Sequence, residues 1–178
     1  MTRALKVAGQ LGALALVLAL LGLLVWKVAA DSEPSARVGE TAPSFSLPRL
    51  DEGDGDAAGL HSYPDTVRVV NFWATWCDPC REEMPLLQAT WVKYRERGVV
   101  VLGVDTRDFL GDARAFVARY GLTYPNVYDG SGKLVEPWGV SGFPETFVID
   151  RDGVIVEHIV GAIDDSEQIE AAIEQALA

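Results

Sequence analysis

The chain has 178 residues, with 15 basic and 26 acidic side chains and a formal net charge of −11 at neutral pH. Such an acidic protein repels nucleic acids and anionic lipids, and no basic patch interleaved with aromatic residues offsets this, so we expect no nucleic-acid partner. Two cysteines, Cys77 and Cys80, are too few for a disulfide-stapled scaffold. A zinc site needs four ligands, and the chain has no second cysteine pair and only two histidines, His61 and His158, which lie far apart in sequence, so we expect no metal.

The first segment of the chain is strongly apolar. Residues 7–26 contain a single strongly polar side chain, and twenty helical residues span roughly the 30 Å hydrocarbon core of a bilayer. Because basic residues precede this run and acidic residues follow it, we expect a cytoplasmic N-terminus over residues 1–6 and a single transmembrane anchor over residues 7–27. The remainder would then lie outside the cytoplasm. A signal peptide, cleaved after residues 28–30, is the open alternative.

The rest of the chain divides into a tether and one domain. Residues 28–42 are polar and rich in small residues, which is typical of a linker. Residues 43–178 are enough for one compact domain and too few for two. All three Lys and Arg residues of the first thirty positions lie in the N-terminal segment, so the exported part carries 12 basic and 26 acidic side chains. We expect this domain to be a soluble monomer.

The patterns along the domain predict an alternation of strands and helices. They predict, in order, a strand at residues 45–47, an acidic turn over 51–59, a strand over 66–74, a helix from the cysteines to Arg97, a strand over 99–104, a helix over 112–120, strands over 146–150 and 154–160, and a helix from Asp165. Continuous β-branched runs indicate strands buried on both faces, and glycines end the helices. This order predicts an α/β domain with a mixed sheet covered by helices.

The two cysteines lie at the junction of a buried strand and a helix. Cys77 follows the strand directly, where the free N–H groups of the helix favour a thiolate, and Cys80 lies one turn inside the helix. Pro79 suits the first helical turn because its missing N–H is not needed there. A disulfide between residues so close in sequence adds little stability. The pair therefore indicates redox chemistry, with Cys77 as nucleophile and Cys80 as resolving cysteine.

Three stretches of the domain resemble one family. Residues 71–80 (NFWATWCDPC) with Glu83 and Pro85, residues 42–47 (APSFSL) and residues 142–150 (GFPETFVID) are similar to the membrane-tethered TlpA/ResA/CcmG group of thioredoxin-like proteins. The resemblance extends from residue 42 to the C-terminus. It implies a thioredoxin-like fold, preceded here by the predicted transmembrane helix, and a redox-active disulfide between the two cysteines, without a cofactor.

The same resemblance implies a substrate-binding edge. Pro144 matches the family's cis-proline, which packs beside the disulfide. A cis bond would turn the backbone of Phe143 outward, where it could pair with an extended substrate strand. We therefore expect Trp76, Phe143, Pro144 and Glu145 to contact the substrate.

One position departs from thioredoxin and moves the expected proton acceptor. Thioredoxin has a buried aspartate on the central strand, whereas this chain has Asn71, as its TlpA-like relatives do. A neutral amide cannot take a proton from the resolving thiol, so Glu83, three residues after Cys80 on a helix, is the candidate. The alternative is a surface acid paired with Arg81 or Lys133. Glu145 is a weaker candidate for the same role.

The residues between the cysteines predict the direction of electron flow. Asp78 disfavours a neighbouring thiolate, which makes the pair more reducing, so we expect a disulfide reductase in an oxidising compartment. The resemblance implies a membrane thiol carrier of the CcdA/DsbD type as electron donor. Residues 144–147 (PETF) look most like the CcmG branch, which implies apocytochrome c as substrate in cytochrome c maturation.

Three other functions stay open at this point. A general TlpA-like reductase for other exported proteins carries similar motifs. A peroxiredoxin-like peroxide reductase, with an antioxidant activity, can share the fold, but its Pro-x-x-x-Thr-x-x-Cys pattern is absent, since Thr75 is two residues before Cys77 rather than three. A thiol-binding adaptor without turnover is the third.

Overall fold

The computed structural model describes residues 11–24, 36–50 and 56–178 and divides into two units, Met1–Pro34 and Ser35–Ala178. In the first unit, residues 11–24 form helix α1. Among the residues described in both units, no helix is both long and apolar enough to cross a membrane. The predicted cytoplasmic N-terminus over 1–6 and both ends of the predicted anchor over 7–27 lie outside the described residues.

The second unit contains seven strands and three α-helices in its described part, together with two short 3-10 helices. The strands and α-helices are β1 (Leu47–Pro48), β2 (Ala57–Ala58), β3 (Val67–Trp73), α2 (Asp78–Tyr94), β4 (Val99–Thr106), α3 (Leu110–Tyr120), β5 (Asn126–Asp129), β6 (Glu145–Ile149), β7 (Ile155–Val160) and α4 (Ser166–Leu177). Five strands form one sheet in the order β5-β4-β3-β6-β7. The pairs β3–β4 and β4–β5 are parallel, and β3–β6 and β6–β7 are antiparallel. The predicted α/β fold with a mixed sheet is confirmed.

Strand β3 is the centre of the sheet, and every one of its residues is buried. Its side chains alternate between two cores, as the period of a strand requires. Val69 and Trp73 pack into the core that holds the inward residues of α2, α3 and α4, whereas Val70 and Phe72 pack into a second core with Phe147. The carboxyl end of this buried strand leads directly into the segment of the two cysteines.

Helix boundaries follow the residues that the sequence pattern indicated. Helix α2 is followed by a short 3-10 turn that ends at Gly98, and α3 ends at Gly121; both glycines adopt the left-handed conformation that favours glycine. Asp165 caps α4 by accepting a hydrogen bond from the backbone N–H of Glu167. The predicted helices and central strands are therefore present, with ends shifted by a few residues.

The N-terminal part of the domain differs from the expectation of a free tether. Residues 28–35 lie outside the described residues, but residues 36–42 lie against the domain. The backbone N–H groups of Ala36, Gly39 and Ala42 donate to the carbonyls of Pro137, Ile155 and Gly153. The predicted tether over 28–42 therefore extends too far towards the C-terminus. Backbone N–H groups in its last seven residues are hydrogen-bonded to carbonyl groups of the domain. In the predicted turn over 51–59, residues 51–55 lie outside the described part, and Ala57–Ala58 pair with β1.

Candidate active site

The two cysteines form a disulfide at the N-terminus of α2. The S–S distance is 2.01 Å. Cys77 is the N-cap residue of the helix, and its Sγ accepts a hydrogen bond from the backbone N–H of Cys80 at 3.2 Å. Cys77 is 5% exposed and Cys80 is fully buried, so Cys77 is the more accessible of the two residues. This asymmetry is what a nucleophilic and a resolving cysteine require.

The side chain of Asp78 has a partner that the sequence pattern did not indicate. Its carboxylate lies 2.5 Å from the Arg81 guanidinium, which also donates to the carbonyl of Thr75. Both side chains are largely exposed, so the pair adds little stability. Its relevance is electrostatic, because the cation offsets much of the negative charge that Asp78 would otherwise place beside the cysteines.

The loop that contains Phe143 and Pro144 contacts the cysteine segment. The peptide bond between Phe143 and Pro144 is cis, which confirms that prediction. The rings of Trp76 and Phe143 are in edge contact with centroids 5.6 Å apart, so the residues that precede Cys77 and Pro144 touch. Trp76 is more than half exposed. Two of the predicted substrate residues, Trp76 and Phe143, are thus in contact, and Pro144 follows Phe143 directly.

Glu83 is buried in the core, next to the central strand. One carboxylate oxygen accepts a hydrogen bond from the Asn71 amide at 2.8 Å, and the other accepts from the backbone N–H of Ile163 at 2.9 Å. Burial raises the pKa of Glu83 to about 7, although these two hydrogen bonds oppose the shift. The alternative of a surface acid paired with Arg81 or Lys133 is wrong, because Glu83 is only 1% exposed.

Asn71 connects Glu83 to the neighbouring strand. Its Nδ2 donates both to Glu83 and, at 3.0 Å, to the Thr146 hydroxyl on β6. The amide therefore occupies the central position on β3 as a donor, which a carboxylate could not do. Asn71, Glu83 and Thr146 therefore form one hydrogen-bonded group. It connects α2, the helix that carries Cys80, to the central strands β3 and β6.

Glu145 is also buried but has a different environment. One oxygen accepts from the backbone N–H and hydroxyl of Ser141 and from the backbone N–H of Gly142, at 2.7–3.0 Å, and the other lies 2.8 Å from His158 Nε2. Burial alone would raise the pKa of Glu145, but the hydrogen bonds from Ser141, His158 and Gly142 outweigh it and lower the pKa. An ionised carboxylate with all these donors is a poor proton acceptor, unlike Glu83.

An open groove of about 540 Å³ lies next to the cysteine segment. Thr75, Trp76 and Arg81 line one side, and α3 lines the other with Phe116 and Tyr120 among its residues. Across the described residues, no group of three His, Cys, Asp or Glu side chains is placed to hold a metal ion.

Residues 38–158 match the AhpC/TSA family, which is more than half of the chain. The chain belongs to this family. The chain is also 34% identical to the thiol-disulfide oxidoreductase ResA of Bacillus thuringiensis (strain Al Hakam) over 146 residues, which is 82% of each protein. The resemblance to ResA-type proteins is therefore confirmed.

Solved structures agree with this assignment. The thiol:disulfide interchange protein of the thioredoxin family from Chlorobium tepidum TLS is 28% identical, with a TM-score of 0.69, over 81% of this chain and 99% of that one. A secreted thiol-disulfide isomerase from Corynebacterium glutamicum is 26% identical, with a TM-score of 0.70, over 76% of this chain and 84% of that one. This AhpC/TSA-family member has a thioredoxin-like fold and is a thiol–disulfide oxidoreductase.

One buried acid near this site was missed by the sequence analysis. Asp105 is fully buried at the carboxyl end of β4, where its Cα pairs with that of Trp73. Burial, followed by the negative charges of Asp108 and Asp129, raises its pKa to about 8. Asp108 in turn accepts a hydrogen bond from the backbone N–H of Thr75 at 2.6 Å. A carboxyl group at the end of an otherwise apolar strand was the only available signal.

Replacement of Asp105 by asparagine should stabilise the domain at neutral and alkaline pH. The native pKa is raised above the unfolded one, so the wild type loses stability as the pH rises from about 4 to about 8, and the variant does not. At about 1.4 kcal/mol per pKa unit, this shift corresponds to a gain of up to about 5 kcal/mol at pH 8, which shrinks towards pH 4. Urea unfolding at several pH values measures it. A constant difference at every pH would contradict the assignment.

Proposed function

We propose that this AhpC/TSA-family member is an extracytoplasmic disulfide reductase. The observation that carries the proposal is the disulfide at the N-terminus of α2, in which Cys77 is slightly exposed and Cys80 is fully buried. In the reduced enzyme, the Cys77 thiolate attacks one sulfur of a substrate disulfide and releases the other as a thiolate that takes up a proton. Cys80 then attacks Cys77, releases the second substrate thiol and restores the Cys77–Cys80 disulfide.

The proposed proton acceptor for the second step is Glu83. The Cys80 thiol must lose its proton to attack, and Asn71 cannot accept one. Glu83 is three residues from Cys80 on the same helix, and its pKa of about 7 is suited to accepting and returning a proton near neutral pH. Glu145, with its lowered pKa, is not proposed for this role.

The proposed substrate is an extended polypeptide segment. The contact between Trp76 and Phe143 joins the cysteine segment to the Pro144 loop, and a segment that crosses this junction can pair with the backbone at Phe143. Because Glu145 is buried, we propose that it acts on the substrate through this loop rather than by direct contact.

Reduction rather than oxidation is proposed on two grounds. No histidine or other cation lies between the cysteines to stabilise a thiolate, and the buried acid Glu83 close to Cys80 disfavours a second negative charge. The Asp78–Arg81 ion pair weakens the contribution that the sequence assigned to Asp78. The proposed direction of electron flow therefore depends on the surroundings of the disulfide, Glu83 included, more than on Asp78 and Pro79.

A redox titration tests the proposed direction of electron flow. We expect the Cys77–Cys80 pair to have a potential near the value of about −270 mV for thioredoxin and far from the value of about −120 mV for a strong periplasmic oxidant. Equilibration with defined dithiol buffers, followed by alkylation of free thiols and mass spectrometry, gives the value. A potential close to that of the strong oxidants would reverse the assignment.

The location and partners are proposed from the sequence and the relatives. The apolar run over residues 7–27 supports a membrane anchor with the domain on the extracytoplasmic side, and the Corynebacterium glutamicum relative is described as secreted. A reductase in an oxidising compartment needs electrons, so we propose a membrane thiol carrier of the CcdA/DsbD type as donor. The motif PETF over residues 144–147 supports apocytochrome c as the substrate, and a broader set of exported proteins is the alternative.

Turnover assays distinguish a disulfide reductase from the two other functions left open, a thiol-binding adaptor and a peroxide reductase. A reductase reduces 2-hydroxyethyl disulfide catalytically when a dithiol reductant is supplied, and replacement of Cys77 by serine abolishes this. A thiol-binding adaptor gives no turnover with either protein. A peroxide reductase would consume hydrogen peroxide faster than the disulfide.

A further inference from the structure

His158 lies on β7, opposite Phe147 of the neighbouring strand β6. Its ring stacks on the Phe147 ring, with centroids 4.0 Å apart and planes within 11°. This stacking directs Nε2 to the Glu145 carboxylate, two residues earlier on the same face of β6, at 2.8 Å. The His158 side chain is 23% exposed and that of Glu145 is 1% exposed, so the contact is largely shielded from water.

The chemistry of the two groups assigns the proton between them. An ionised carboxylate can only accept hydrogen bonds, so Nε2 of His158 carries the hydrogen and donates it. A buried carboxylate requires donors at both oxygens, because a buried charge without partners is costly. His158 supplies the side-chain donor for one oxygen, while Ser141 and Gly142 supply those for the other.

The second oxygen of Glu145 holds the loop whose Phe143 contacts Trp76, the residue before Cys77. Its three hydrogen bonds come from Ser141 and Gly142, and the next two residues are Phe143 and Pro144. The carbonyl of Pro144 is held from the other side by the backbone N–H of Gly161 at 3.0 Å. Glu145 therefore joins the loop to β7 through one buried carboxylate, and the orientation of that carboxylate depends on His158.

We propose that His158 is a positioning residue for polypeptide substrates, which fixes the Glu145 carboxylate and through it the loop that carries Phe143 and Pro144. This inference rests on the proposed function and deepens it, since it concerns the same substrate edge. His158 contacts no sulfur and takes no part in the exchange of electrons. A substrate that pairs with the loop depends on the geometry at Phe143, whereas a small disulfide that only reaches Cys77 does not.

Two variants of His158 separate the hydrogen bond from the packing. Phenylalanine keeps a ring to stack on Phe147 but has no donor, and glutamine keeps a donor but has no ring. The matched control is His61→Phe, since His61 is exposed in the short 3-10 helix Leu60–Ser62. Each protein is assayed with a disulfide-containing peptide and with 2-hydroxyethyl disulfide, and its thermal unfolding is measured.

For His158→Phe, we expect kcat/KM for the peptide to fall about tenfold, which corresponds to loss of one hydrogen bond to a charged group. The small disulfide should be reduced within about twofold of the wild-type rate, and His158→Gln should recover much of the peptide activity. Peptide reduction at the wild-type rate by His158→Phe would overturn the proposal, as would an equal loss with both substrates. If the wild type itself reduces neither substrate, the proposed function fails instead.

Discussion

Replacement of Cys80 by serine should stop turnover and leave substrate proteins covalently bound to Cys77. Without Cys80, the mixed disulfide that forms when Cys77 attacks has no internal thiol to resolve it. Cys77 keeps its place at the helix N-terminus, where the free N–H groups favour its thiolate. We expect loss of more than about a thousandfold in disulfide reduction, since removal of one member of a catalytic unit has effects of this size.

The measurement is made on the full-length chain produced in its native cells, with whole-cell extracts as the sample. Adducts are separated without reductant, released with a dithiol and identified by mass spectrometry. The matched control is Cys77→Ser, which keeps Cys80 but should give no adducts, because Cys80 is fully buried in the oxidised domain. Equal adduct formation by both variants would contradict the assignment of Cys77 as the nucleophile.

The identity of the trapped proteins also decides between the two proposed substrate classes. Recovery of cytochrome c precursors supports the role in cytochrome c maturation, and recovery of unrelated exported proteins supports a general reductase. The trapped set should share exposed, extended segments around the reacting cysteine, since the junction of Trp76 and Phe143 can accept such a segment.

Local patterns predicted the parts of this domain that depend on neighbours in sequence. The continuous apolar runs of β3 and β4 indicated buried strands, and glycines at the helix ends behaved as expected. The strand-to-helix position of the cysteines follows from the same local rules. The cis bond before Pro144 came from the family resemblance, since no local propensity requires it.

Features that depend on long-range contacts could not be predicted. The surroundings of Glu83 are set by Asn71 and Ile163, which lie 12 and 80 residues away in the sequence, so burial and surface exposure were equally consistent with its helical spacing. His158 fits the alternation of β7, but that pattern does not show that its ring meets Glu145. Strand β5, with four residues, was too short to give a periodic signal.

Replacement of Glu83 by glutamine should slow the release of the mixed disulfide without destroying the fold. Glutamine has nearly the same shape, and its carbonyl oxygen can still accept one of the two hydrogen bonds that Glu83 receives from Asn71 and Ile163. What is lost is the ability to take a proton from Cys80. Positioned acids and bases contribute about a hundredfold or more to such steps, so we expect a decrease of about this size.

The pH dependence distinguishes a proton acceptor from a structural acid. In the wild type, the rate of the resolving step should rise as Glu83 loses its proton, around its pKa of about 7, and this rise should be absent in Glu83→Gln. The matched control is Glu82→Gln, since Glu82 is the preceding residue on the same helix and is exposed. Stopped-flow measurement of the tryptophan fluorescence change on oxidation gives the rate.

The stability of the two proteins provides an independent check on the same group. Burial holds the native pKa of Glu83 above its unfolded value, so the wild type is most stable relative to the variant at low pH and loses this advantage as the pH rises from about 4.5 to about 7. Glu83→Gln also leaves one buried N–H without an acceptor, at a cost of about 1–3 kcal/mol at every pH. A difference in unfolding free energy that narrows with rising pH, together with the loss of the kinetic titration, assigns both effects to one buried carboxyl group. If the rate profile is unchanged while the stability difference still narrows, Glu83 is a buried structural acid, and Cys80 loses its proton to another group.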